Sequence, residues 1–89
     1  MEPDQQITAP EFGRLLRDIR VRHDMTQAQL SGDLTRVRGC SQAAISRLES
    51  GMWMPDAGQM EHILAAIYAT ESDVRAVRAA AAALRVRDA

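Results

Sequence analysis

Ser41-Gln42-Ala43-Ala44-Ile45-Ser46-Arg47-Leu48-Glu49-Ser50-Gly51 is a run of about three helical turns with a stop signal at each end. Ser41 has an N-cap hydroxyl that can accept from an unpaired first-turn N–H, and Gly51 suits the left-handed residue just past a helix end. A helix this short is stable only when one face is buried against other elements. Ile45 and Leu48, three apart, supply that inward face, while Gln42, Ala43, Ser46, Arg47 and Ser50 follow the spacing of the opposite one. The outward set has a shared chemistry. A side-chain amide can bond N6 and N7 of adenine, a guanidinium can bond O6 and N7 of guanine, and small residues between them allow close approach.

The other segments read as helices around this one. Thr8-Ala9-Pro10-Glu11 has capping-box spacing, with Pro10 tolerated in the first turn. Phe12, Leu16, Ile19, Arg20 and His23 then fall on one stripe, into which an arginine intrudes. Asp24 stands where a turn must form, and Thr26 caps a second helix with Leu30, Leu34 and Val37 at i, i+4 and i+7. The spacing carries that apolar face through Thr35-Arg36-Val37 to a stop at Gly39. Glu49 lies beside the inward face of the 41–51 helix, where an unpaired carboxylate is costly, and Arg20 is the obvious partner. After the Met52-Trp53-Met54-Pro55 loop, Asp56 caps a fourth helix with the stripe Met60, Ile63, Leu64 and Ile67. Thr70-Glu71-Ser72-Asp73 opens a fifth, about 71–87, along which Val74, Val77, Ala81 and Leu84 recur at 3, 4 and 3. Nothing alternates with the period of a strand, so the fold class is all-α with five helices.

At 89 residues the chain is long enough for one core. Residues 1–7 read as a polar, acidic, flexible leader and 8–89 as the domain. The single cysteine, Cys40, has no cysteine partner for an internal disulfide or a zinc knuckle and suits buried packing. No apolar run reaches the roughly 18 residues of a spanning helix, so a soluble, cytoplasmic protein without membrane contact is expected. His23 and His62 stand apart, and no metal site or cofactor is expected. With no glycine-rich phosphate loop, paired carboxylates or nucleophile near a base, the expectation is a non-enzyme. The net charge of −1 weighs against a nucleic-acid partner. Its distribution softens that objection, because Arg36, Arg38 and Arg47 share the middle of the chain with only Asp33 and Glu49.

These residues together resemble the Cro/C1-type (XRE-like) helix-turn-helix regulators. The resemblance covers about residues 11 to 69 and rests on Phe12-Gly13-x-x-Leu16-Arg17-x-x-Arg20, Met25-Thr26-Gln27-x-x-Leu30, Ser41-Gln42-x-x-Ile45-Ser46-Arg47-Leu48-Glu49-x-Gly51 and Pro55. It implies a lambda-repressor-like domain in which Gln27 contacts a phosphate, Gln42, Ala43, Ser46 and Arg47 face bases or backbone in the major groove, and Arg20 and Glu49 form a buried pair. The candidate DNA-binding set also takes in Thr26 and Ser41, the two caps, and Ser50.

Two departures from the family shape the expectation. About four extra residues, Thr35-Arg36-Val37-Arg38, lengthen helix 2 or its turn, and they place Arg36 and Arg38 where they can flank a phosphate strand. The loop after Gly51 carries Met52, Trp53 and Met54 where the family often has basic residues. The resulting expectation is a dimeric repressor on a palindromic operator of double-stranded DNA. Helix 5, through Val74, Val77, Ala81 and Leu84, is the first choice for the homodimer interface, and Trp53 the second. The alternative is a protein-interaction module of the same fold, such as an antitoxin or a phage-encoded modulator of a host protein.

Overall fold

The computed structural model describes residues 7–88, with side chains as far as Leu84. Along them run α1 (Ala9–Arg22), α2 (Gln27–Asp33), α3 (Gln42–Glu49), α4 (Ala57–Ala66) and α5 (Glu71–Asp88), with no strand among the described residues. The expected leader lies outside those residues except for Ile7, which packs against the core.

Local chemistry starts each helix. Thr8 and Glu11, Thr26 and Gln29, and Asp56 and Gln59 form reciprocal capping boxes at α1, α2 and α4, and Ser41 Oγ accepts from Ala44 N at 3.1 Å at α3. Thr70 and Asp73 exchange the same kind of bonds ahead of α5, at 3.0 and 3.1 Å. Turns follow where the backbone must go left-handed, at Asp24 (φ 55°), Gly39 (φ 85°) and Gly51 (φ 82°).

Phe12, Leu16 and Ile19 of α1 meet Leu30, Ile45 and Leu48, and the core continues through Met60, Ile63, Leu64 and Ile67 to Val77, Ala81 and Leu84. Cys40 is buried among them as a free thiol. His23, placed on the α1 stripe by its spacing, is instead exposed at the helix end, where its ring lies 5.7 Å from that of Tyr68. The chain curls away from the helix axis at that point.

The extra residues between α2 and α3 do not prolong the helix. Leu34 caps α2, and residues 34–41 form a long turn in which Val37 N donates to Leu34 O at 2.8 Å and Cys40 N to Val37 O at 3.3 Å. Val37 still packs against the core, but from the turn. Helical spacing identified a residue that is buried, while its backbone took a tighter path. On α5, Val77, Ala81 and Leu84 are 0, 4 and 6 % exposed within this one chain, and Val74 is half-buried.

Candidate nucleic-acid interface

α3 is held from below. Ala44, Ile45 and Leu48 are buried, and Gly13 of α1 lies so close that a Cβ there would stand 2.3 Å from Leu48 O and 2.6 Å from Glu49 O. Gly51 sets α3 against the start of α1 in the same way, since a Cβ there would meet Pro10 N at 2.5 Å. The two glycines let α1 run against both the last turn of α3 and its exit.

Glu49 fixes the remaining freedom. Arg20 Nε donates to its Oε2 at 2.6 Å and Arg20 Nη2 to its Oε1 at 2.8 Å, with side chains only 9 and 6 % exposed. Arg20 Nη1 also donates to the Met25 carbonyl at the entry to α2. The bonds to Glu49 push the Arg20 guanidinium up, against the opposing effect of its own desolvation. One arginine thus joins α1, the α1–α2 turn and α3.

The opposite face of α3 is open. Gln42, Ala43, Ser46, Arg47 and Ser50 are all exposed, as are Ser41 and Thr26, whose hydroxyls serve as caps. Gln27 is half-buried and donates through Nε2 to Glu49 Oε1 at 3.0 Å, so its amide is oriented by the same carboxylate that Arg20 grips. Arg36 and Arg38 are exposed in the long turn. No ion-pair partner for Arg36, Arg38 or Arg47 is present among the described residues, nor for Arg14, Arg17 and Arg75, whereas Arg20, Arg22 and Arg78 are paired. The amide and guanidinium of Gln42 and Arg47 have the donors that a base edge requires. Beside this face Met52 is 75 % exposed, while Trp53 and Met54 are half-buried against the core.

The roles of two residues escaped the sequence reading. The spacing of Asp56 and Gln59 signals a capping box, but nothing local announces the second bond of Gln59, from Nε2 to Arg38 O at 2.8 Å. Gly13 has no unusual φ, and only the packing of α1 on α3 explains it. Cys40 takes no part in surface chemistry. Burial, and after it the charge of Asp56, push its thiol up and keep it protonated. Among the described residues no group of His, Cys, Asp or Glu could hold a metal ion, and no helix is long and apolar enough to cross a membrane.

Residues 11–77 match the model of a helix-turn-helix domain family. The chain belongs to that family, within the Cro/C1-like class, and carries a domain of the type found in DNA-binding regulators. Searches of curated proteins and of solved structures return no match.

Proposed function

We infer that this protein is a sequence-specific regulator of transcription, a repressor that reads the major groove of double-stranded DNA with residues 41–50. The observation that carries this reading is the division of α3. Its inner face is pinned by Gly13, Ile45, Leu48 and the Arg20–Glu49 pair, and its outer face presents Gln42, Ala43, Ser46 and Arg47. A rigid helix with adaptable donors on its free side suits recognition of base edges. Gln27, Arg36 and Arg38 supply contacts to the backbone, which fix register without reading sequence.

One short helix reads few base pairs, so a homodimer on a palindromic operator is the arrangement that gives useful specificity, with half-sites about 34 Å apart. Helix α5 and the 52–54 loop are the candidates for its surface. The test is selection of duplexes from a random pool by the whole chain at two salt concentrations. A palindromic consensus and a steep salt slope support the reading. No enrichment at low salt, with stoichiometric capture of a protein, would instead support an interaction module built around the exposed Met52.

A further inference from the structure

Residues 34–41 form a longer connection than a tight helix-turn-helix needs, yet several bonds restrain them. Cys40 is buried at the far end, Ser31 Oγ donates to Cys40 O at 3.4 Å, and Gly39 turns the chain at φ 85°. Gln59 of α4 crosses to the same turn. Its Oε1 accepts from Asp56 N at 2.8 Å, its own N–H donates to Asp56 Oδ1 at 2.8 Å, and its Nε2 donates to Arg38 O at 2.8 Å. A Cβ on Gly39 would stand 2.8 Å from that Nε2, so glycine is what lets the amide come alongside. One side-chain amide therefore caps α4 with its oxygen and holds the turn with its nitrogen.

We propose that Gln59 is a positioning residue for DNA binding, fixing the backbone at Arg38 so that the Arg38 guanidinium is ordered for a phosphate beside the N-terminus of α3. This rests on the DNA-binding reading above. Arg38 is exposed, lies three residues before the α3 cap, and has no ion-pair partner among the described residues. A cation on a mobile loop loses conformational entropy when it binds phosphate, and holding its backbone in advance removes part of that cost. Gln59 itself touches no nucleic acid in this account. It acts through Arg38.

The chemistry of Gln59 allows its two roles to be separated. Glutamate serves as well as glutamine at the third position of a capping box, but has no N–H to give Arg38 O. Gln59→Glu should therefore keep the α4 cap and the thermal midpoint while amide exchange at Val37–Ser41 accelerates. On a labelled mixed-sequence duplex it should bind more weakly. Arg38→Ala should also bind more weakly and reduce the slope of log K against log salt by about one, and Gln59→Glu added to Arg38→Ala should change nothing further. If Gln59→Glu weakens binding equally in the Arg38→Ala background, its charge alone repels the duplex and the proposal fails. Unchanged binding by Gln59→Glu with accelerated exchange would likewise overturn it. If the unaltered chain shows no salt-dependent duplex binding, the DNA-binding reading itself is wrong, and unaltered exchange in Gln59→Glu would separately remove the clamp.

Discussion

Both carboxylate oxygens of Glu49 are held by the guanidinium of Arg20, Oε2 by Nε at 2.6 Å and Oε1 by Nη2 at 2.8 Å, across 29 residues of sequence. The pair is nearly closed to water, so either partner alone is a buried charge without its counter-charge. Arg20→Met or Glu49→Leu should each cost about 3–5 kcal/mol. Replacing both with apolar residues of similar size, Arg20→Met with Glu49→Leu, should cost clearly less than the two single losses added together. Urea unfolding of the four proteins checks this, and simple additivity would show that the pair is not coupled.

The glycines divide by their surroundings. Gly13→Ala forces a methyl group against the Leu48 and Glu49 carbonyls, and Gly51→Ala combines such a clash with a left-handed φ. Each should destabilise by about 1–3 kcal/mol or more. Gly32 lies in α2 with nothing within 4 Å of its position for a Cβ, so Gly32→Ala should stabilise by about 0.4–1 kcal/mol. Thermal midpoints should move in opposite directions, by about 4–8 °C per kcal/mol in a domain of this size.

What could be read in advance is what local chemistry decides. Thr8, Thr26, Ser41 and Asp56 cap helices because a short side-chain acceptor meets N–H groups two or three residues on, and Gly39 and Gly51 turn the chain because only glycine adopts those angles cheaply. The exposed set on α3 follows from one helical period. Tertiary competition decided the rest. Val37 reaches the core from a turn, so spacing marked its burial and misjudged its backbone. Along α5, a period of 3 and 4 marks a covered face but does not say which chain covers it, and here Val77, Ala81 and Leu84 face their own domain. The second bond of Gln59, 21 residues from Arg38, leaves no trace in local sequence.

Base reading and backbone anchoring should separate by mutation. If Arg47 bonds a guanine edge, Arg47→Ala should cost about 1–3 kcal/mol and relax preference at a single position of the selected site. Arg36→Ala should weaken all duplexes alike and lower the salt slope by about one. An Arg47→Ala protein with an unaltered selection profile would remove Arg47 from the reading set.

Acid stability carries the mark of Asp73. Its carboxylate accepts from Arg22 at 2.6 Å and from Thr70 N, and these bonds, the Arg22 one foremost, hold its pKa below the usual carboxylate range. A depressed folded-state pKa means that the contribution is complete above the unfolded-state value and is lost as pH falls through the folded one. The stability of the wild-type chain should therefore decline below about pH 4, and less steeply in Asp73→Asn. Superimposable acid limbs would show that the α1–α5 contact through Arg22 has no thermodynamic weight.

The central claim is that the open face of α3 is the surface that meets DNA, and backbone amide shifts recorded during titration with a selected duplex test it most directly. The account predicts that the largest shifts fall on Thr26, Gln27, residues 36–38 and residues 41–47, with α5 changing little. Shifts confined to residues 52–54 or α5, or no shifts at low salt, would contradict it.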